Sequence, residues 1–348
     1  MEDVLKNNAI SETRTEGWAA RWATAGAAMW VGIAILARIG IMRVGVIELM
    51  FLFAPLVIVP LGMELGRVSG GRPEASRRLA DVAQVLQPLG AALTVVAMWL
   101  PPGKVAALTS LGWLAVCGLM ASAGLIELVD ILLPGKRRTL GAAGAGMRMV
   151  GIAAAIAKLD LAVGGAWLLA SRLGMRPLGI QEPIGLLTAV HFHYAGFATA
   201  MIASTTLRYA ESRRRQRWLP KIIMGVVLLP LVVAAGFVVS PLLKMAAGVA
   251  FSASVAVLAG FMWNCARQAT EQAARRFLRG AASCVFVAMG LSAAYAIADF
   301  VYSDVLPIPR MASTHGVLNG VGFCLWGLLG WLVERHHGPA CEQGRLPG

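Results

Sequence analysis

Long apolar runs separated by short polar segments make up most of this chain. A membrane-spanning helix needs about 20 mostly apolar residues to cross a hydrocarbon core about 30 Å thick. The connections between the runs are too short to hold a second folded domain. The pattern therefore predicts an all-α polytopic transmembrane bundle with ten spans, at Trp22–Ala37, Val46–Leu65, Val82–Leu100, Val105–Leu133, Met149–Ala170, Ile184–Leu207, Ile222–Leu243, Met245–Ala266, Ala281–Val301 and Val317–Val333.

The composition agrees with a membrane protein. Hydrophobic residues make up 58% of the chain and charged residues only 14%, whereas soluble domains carry about 25% charged residues. The net charge of +13 does not indicate nucleic-acid binding, because the basic residues cluster between the apolar runs, where anionic lipid headgroups attract them. The five cysteines have no paired spacing, which is typical of reduced, buried thiols.

The distribution of Lys and Arg predicts the orientation. With the N-terminus inside, 23 of these residues fall in inside segments and 7 in outside segments, while Lys158 lies within the fifth span. Cytoplasmic loops carry the excess of Lys and Arg, and a missed span would invert every later loop. We therefore expect residues 1–21 to form a cytoplasmic segment, 22–333 the transmembrane domain, and 334–348 a cytoplasmic tail.

Several rare polar residues share one depth in this predicted topology. The sixth span contains a Thr-Ala-Val-His-Phe-His-Tyr-Ala-Gly-Phe segment, and further polar residues lie toward the outer ends of three other spans. Ionisable residues within spans are costly and usually face the protein interior or a wet cavity. We therefore predict a polar site in the outer half of the bilayer, with the candidate catalytic residues His191, His193, Tyr194, His315, Asn319, Glu48 and Asp299. Tyr302 and Asp304 are expected near the same depth.

Helix geometry limits how these side chains combine. His191 and His193 are two residues apart, about 200° around a regular helix, so they cannot both ligate one metal ion. His191 shares a face with Tyr194, and His315 shares one with Asn319 if the tenth helix begins early enough. The alternative is that each histidine hydrogen-bonds to a carbonyl and only locks helix packing.

Other acidic residues have a structural interpretation. Glu64 and Glu127 lie toward the predicted inner ends of their spans, where basic loops can neutralise them. Asp160 lies near mid-membrane with Lys158 two residues away. Because residues two apart on a helix point to different sides, these two are not expected to pair.

Three functions remain open at this point, and none has a named cofactor. The first is an intramembrane enzyme that performs proton transfer on a lipophilic isoprenoid- or lipid-like substrate, with a histidine and a carboxylate or Tyr194 as the acid and base. The second is a proton- or metal-coupled transporter of a small molecule. The third is haem or metal binding through His191 or His193 together with His315.

Two segments carry a family resemblance. Leu187-Thr188-Ala189-Val190-His191-Phe192-His193-Tyr194-Ala195-Gly196-Phe197, followed far downstream by His315-Gly316-Val317-Leu318-Asn319-Gly320-Val321-Gly322-Phe323, resembles the YndJ-like family of bacterial polytopic membrane proteins. The resemblance implies that both histidine segments belong to one system in a bacterial cytoplasmic membrane. It implies no reaction.

The charge distribution generates a test of topology. A reporter at either terminus is expected in the cytoplasm, and a reporter inserted near Arg310 is expected outside, because the inside segments carry most of the basic residues. Reporter activity or protease accessibility in intact cells measures this. Protease access to both termini from the outer face would contradict the orientation.

Overall fold

The computed structural model describes residues 17–67, 72–133, 143–212, 218–301 and 307–337. Within these residues the chain is helical, without strands, and ten helices are long and apolar enough to cross a membrane. They are α1 (Trp18–Arg38), α2 (Val46–Gly66), α3 (Glu74–Trp99), α4 (Lys104–Leu132), α5 (Gly146–Leu173), α6 (Ile184–Ala210), α7 (Leu219–Val239), α8 (Pro241–Ala266), α9 (Gln272–Phe300) and α10 (Ile308–Arg335). The predicted all-α bundle of ten spans is thus confirmed. Residues 1–16 and 338–348, in the predicted terminal segments, lie outside the described residues.

Three helices begin well before the apolar runs that predicted them. Helices α3, α9 and α10 begin at Glu74, Gln272 and Ile308 rather than at positions 82, 281 and 317. Their first turns are polar, so hydropathy does not detect them, although the backbone continues the same hydrogen-bonded helix. Helix α7 ends at Val239, and α8 begins at Pro241, because proline fits the first turn of a helix.

Helices α2 and α6 form the centre of the bundle. In their most apolar stretches, 83% of the residues of α2 and 78% of those of α6 are buried, against 22% in both α1 and α7. The central helices are not regular. Wide π-helical turns occur in α2 at Ala54–Ile58 and in α6 at Phe192–Ala198, and α10 has two more. Such turns leave carbonyl groups off the regular ladder and are frequent at functional sites.

Glycines allow these wide turns to pack closely. A Cβ atom on Gly320 of α10 would lie 2.7 Å from the Met50 Cε atom and 3.1 Å from the Tyr194 ring. A Cβ atom on Gly196 of α6 would lie 2.7 Å from the Asp160 Cβ atom of α5. Any larger residue at either position would push the neighbouring helices apart.

Buried ion pairs hold the end of the bundle opposite to the start of α6. The Lys158 Nζ atom lies 2.6 Å from Oε1 of Glu127, which also accepts a hydrogen bond from the Ser76 hydroxyl at 2.6 Å. Arg72 lies 3.6 Å from the same carboxylate. Nearby, Arg335 pairs with Glu64 at 2.8 Å. The structural interpretation of Glu64 and Glu127 agrees with these contacts.

Asp160 does not pair with Lys158, as expected from their spacing. Its side chain is buried against Gly196 in the π-helical turn of α6. The Oδ2 atom has no hydrogen-bond partner among the described residues. Lys158 and Asp160 therefore contact different helices, since Lys158 pairs with Glu127 of α4 and Asp160 packs against α6.

The buried pair generates a stability test. Glu127→Leu should cost about 3–5 kcal/mol of unfolding free energy, since it leaves the Lys158 ammonium buried without its carboxylate and removes a contact of Arg72. Lys158→Met should cost less, because Arg72 and Ser76 still surround the Glu127 carboxylate. Chemical unfolding in detergent micelles measures both variants, and equal costs would contradict this account.

Candidate functional site

A largely apolar cavity of about 870 Å³ lies between α6 and helices α7 to α10. Ligand sites typically enclose about 300–1,000 Å³. Nearly all the lining residues lie in one half of the bundle, where α5, α7 and α9 end and α6, α8 and α10 begin. We call this the cavity half. The charge distribution predicts it to be the outer half.

Five of the seven predicted site residues line this cavity, namely His191, Tyr194, His315, Asn319 and Asp299. They come from α6 and from the consecutive helices α9 and α10, which follow much later in the chain. The early start of α10 brings His315 and Asn319 onto successive turns of one helix. Tyr302 and Asp304 lie outside the described residues.

His191 presents one ring nitrogen to the cavity. Its Nδ1–H donates to the Leu187 carbonyl at 2.7 Å, one turn earlier on α6. With the proton on Nδ1, the Nε2 atom of the neutral ring carries a lone pair. This Nε2 atom has no hydrogen-bond partner within the described part of the chain, and the side chain is exposed toward the cavity.

His315 lies near His191, close enough for the two rings to interact electrostatically. Its Nδ1–H donates to the Ala288 carbonyl of α9 at 2.9 Å, and its Nε2 accepts from the Asn319 side-chain amide at 2.9 Å. Both ring nitrogens are therefore occupied, unlike those of His191. The arrangement fixes the His315 ring and the Asn319 amide relative to each other.

Tyr194 contributes its ring to the wall, whereas its hydroxyl is occupied. The hydroxyl donates to the Met50 carbonyl of α2 at 2.8 Å, and the side chain is buried. Tyr194 therefore joins α6 to α2 behind the cavity. In this conformation it does not present a free proton donor to a bound molecule.

Asp299 forms an ion pair with Lys244 at 2.7 Å, with side-chain exposures of 38% and 25%, respectively. The Lys244 ammonium also lies 4.8 Å from the centre of the Phe237 ring. Helices α7, α8 and α9 thus meet at this partly exposed pair. Because the Asp299 carboxylate is paired with Lys244, it is less available to contact a bound molecule than the sequence alone predicted.

His193 does not line the cavity, which resolves the choice between the two histidines of α6. It is fully buried on the other side of the helix, where its Nδ1–H donates to the Ala189 carbonyl at 2.7 Å and its Nε2 accepts from the Trp113 indole at 2.9 Å. The ring stacks on Trp113 and meets the edge of Phe51. His193 therefore has the packing role that the sequence left open.

Glu48 also lies away from the cavity, contrary to expectation. Ile47 and Met50 are the α2 residues that line it, and Glu48 is rotated about 100° from Ile47 around the helix. Its carboxylate points toward Gly45 and is close enough to interact with Arg172 at the end of α5. Glu48 lies at the same end of the bundle as the cavity, whereas direction around the helix separates it from the lining.

Several contributing residues were not predicted. Lys244 was counted only as a loop charge, and Ser292 and Tyr295 of α9 also line the cavity. Trp113 lies in the middle of α4, far from the interfacial positions that tryptophans prefer, so its indole N–H needed a buried acceptor. The position of Trp113 within its span was the feature of the sequence that could have indicated a buried acceptor such as His193.

No ready-made metal site is present within the described ranges. There, no group of three or more His, Cys, Asp and Glu side chains lies close enough together to hold an ion. The open lone pair of His191 is a single potential ligand. Any metal ligation by His315 would first have to displace the Asn319 amide or the Ala288 carbonyl.

The His193 contact generates a stability test. His193→Phe keeps a ring between Trp113 and Phe51 but leaves the buried indole N–H without its acceptor, which should cost about 1–3 kcal/mol. Adding Trp113→Phe removes the unpaired donor and should recover part of that loss. Thermal unfolding in detergent measures the cycle. Additive losses in the double variant would contradict the proposed coupling.

Comparisons with known proteins agree with this architecture. The model of a family described as "YndJ-like protein" matches residues 49–323, which include both histidine segments. A relative from Bacillus subtilis (strain 168), named "Uncharacterized membrane protein YndJ", is 29% identical over 175 residues. That match covers 50% of this chain and 31% of the relative, so the chain spans about a third of that protein's length. No solved structure matches. With ten membrane-length helices and a family match over most of its length, the chain is a multi-pass membrane protein that belongs to the YndJ-like family.

Proposed function

We propose that this protein is an intramembrane enzyme that takes a lipophilic molecule from the bilayer into the cavity and transfers a proton at His191. The observation that carries the proposal is the open Nε2 atom of His191 inside a mostly apolar cavity in one half of the bundle. An imidazole with one nitrogen fixed and the other open suits a general base.

The Leu187 carbonyl determines which nitrogen can act. Its contact with Nδ1 keeps the proton there, so Nε2 is the atom that accepts a proton from a bound molecule. Once Nε2 is protonated, it can return the proton to another atom of the same molecule. A shift of a proton between two substrate atoms needs no further co-reactant.

His315 acts as a positioning residue in this proposal. The Ala288 carbonyl and the Asn319 amide occupy its nitrogens and hold its ring beside His191. Its ring and the Asn319 amide define the polar end of the cavity. Tyr194 anchors the helix that carries His191, through its bond to the Met50 carbonyl.

Access from the lipid is supported by α7. Leu231, Phe237 and Val238 of this helix line the cavity. Only 22% of the most apolar stretch of α7 is buried, so a helix with little buried surface forms this part of the cavity wall. Pro230, which also lines the cavity, removes one backbone hydrogen bond from that helix.

Proton transfer within one half of the bilayer is favoured over transport across it. The cavity lining ends near the π-helical turn of α6, and beyond it Met201, Ile202 and Leu207 are buried in the core. Alternating access would require that packed region to open. Haem ligation by the open His191 nitrogen is the other alternative, and cofactor analysis of the purified protein separates it from acid–base chemistry.

Substitutions at the two cavity histidines test the proposal. His191→Gln should lower product formation by about 100-fold or more, the scale for losing a general base. His315→Ala should also lower it, whereas His315→Gln should retain more activity, because an amide can keep a hydrogen bond to Ala288 or Asn319. Mass spectrometry of lipid extracts from cells with each variant, normalised to folded protein by size-exclusion chromatography, measures product and accumulated substrate.

His336→Gln is the matched control, since the backbone of His336 lies about six helical turns after His315, at the opposite end of the same helix, within the predicted cytoplasmic segment 334–348. It should leave the lipid extract unchanged. Identical extracts for wild type and His191→Gln would overturn the proposed enzyme. A changed uptake rate with unchanged lipids would indicate transport instead.

A further inference from the structure

We infer that the molecule bound in this cavity is an uncharged lipophile with a hydroxyl group, which donates to His191 Nε2 beside the Asn319 amide. This inference rests on the proposed function and narrows its substrate class. It follows from two properties of the lining, its balance of charges and its unequal supply of hydrogen-bond donors and acceptors.

The charges of the lining cancel. Lys244 and Asp299 are the only Lys, Arg, Asp or Glu residues among the described residues that line the cavity, and they pair with each other at 2.7 Å. An anionic headgroup would have to draw Lys244 away from Asp299 and leave that carboxylate beside another negative charge. The pair is partly exposed and contributes little stability by itself, but together its two charges leave the described lining without the net positive charge that would select an anion, so the site suits a neutral ligand.

The histidine end of the cavity offers hydrogen-bond acceptors. His191 Nε2 is an open acceptor, because the ring proton is committed to the Leu187 carbonyl. Asn319 donates one amide N–H to His315 Nε2, which leaves its second N–H as a donor and its carbonyl oxygen as a second acceptor. The Tyr194 hydroxyl proton is committed to Met50 and the Thr188 hydroxyl proton to Ile184.

A ligand group at this end must therefore bring a donor for His191 Nε2 and can accept from the second Asn319 N–H. A hydroxyl group does both, whereas an ether, a ketone or a carboxylate would leave His191 Nε2 without a donor. Ser292 and Tyr295 add hydroxyls on α9, one turn after Ala288 and one turn before Asp299, respectively. Because hydroxyls can both donate and accept, they can pair with a ligand hydroxyl as well.

The remainder of the cavity fits an apolar chain. Val233, Ala234 and Phe251 are among the α7 and α8 side chains that line it. The polar group and the chain would thus lie at different ends of one cavity. A long-chain alcohol has this division.

Three diazirine-labelled probes of equal chain length test the inference, namely hexadecanol, its methyl ether and palmitate. Each is photocrosslinked to the full chain in lipid nanodiscs, and labelled peptides are quantified by mass spectrometry. Labelling of cavity peptides from α6 and α10 is divided by labelling of α1, whose lipid-exposed residues report how much probe is in the bilayer.

The alcohol is expected to label the cavity about tenfold more than the ether, a ratio that corresponds to 1.4 kcal/mol. His191→Phe keeps a ring but removes the acceptor and should reduce the alcohol signal to the ether level. His191→Gln keeps an acceptor and should retain part of the preference. The control His336→Gln should behave as wild type, and each variant is checked for folding by size-exclusion chromatography.

The outcomes distinguish the inferred substrate class from the proposed enzyme activity. Equal cavity labelling by alcohol and ether, stronger labelling by palmitate, or an alcohol preference that survives His191→Phe would overturn the inferred substrate class and leave the proposed function standing. Labelling of α1 without labelling of the cavity by any probe would overturn both. A preference for alcohol that depends on His191 supports the inference.

Discussion

The Tyr194 hydroxyl donates to the Met50 carbonyl, and this bond joins the two most buried helices beside the cavity. Pro55 explains why the Met50 carbonyl lacks its usual backbone hydrogen bond within α2. Proline lacks the N–H that would bond to Phe51, so the Ala54 N–H bonds to the Phe51 carbonyl and Met50 is left for Tyr194. An unsatisfied backbone group in hydrocarbon costs several kcal/mol, so this contact fixes the register of α2 against α6. The Pro55 carbonyl accepts a hydrogen bond from the Gln87 side-chain amide at 2.6 Å.

That fixed register gives two histidines of one short segment different roles. His193 faces α4 and α5, where Trp113 of α4 donates to Nε2 and Gly164 of α5 leaves room for the ring, while the Ala189 carbonyl, one turn earlier on α6, accepts from Nδ1. His191 faces the opposite direction, where only one nitrogen is satisfied. A fully bonded imidazole stabilises packing, whereas an imidazole with one open nitrogen can exchange a proton with a ligand. The two rings differ at Nε2, which accepts from Trp113 in His193 and is open in His191 within the described residues. This difference determines the chemistry available to each ring.

Charge is distributed differently in the two halves of the bundle. Away from the cavity, Glu127 gathers Lys158, Arg72 and Ser76 into a buried cluster, and Arg335 neutralises Glu64. In the cavity half, the lining holds a single ion pair at its partly exposed edge. Buried ion pairs of this kind hold helices in place. Among the described lining residues the charges of the cavity half cancel, so the proposed ligand would be selected by hydrogen bonding rather than by charge.

The sequence by itself determined the helical class and the ten spans, because hydrophobic length sets where a helix crosses a bilayer. It also excluded a shared site for His191 and His193 and a pair between Lys158 and Asp160, since helix periodicity alone separates them. Only the tertiary structure decided which neighbouring helix each polar side chain faces. The Glu48 carboxylate lies beside Gly45 rather than in the cavity, Asp299 meets Lys244 from another helix, and His193 meets Trp113 from α4. Those partners depend on which helices are adjacent and on the wide turns that rotate them, and neither property is encoded in the hydropathy of a single span.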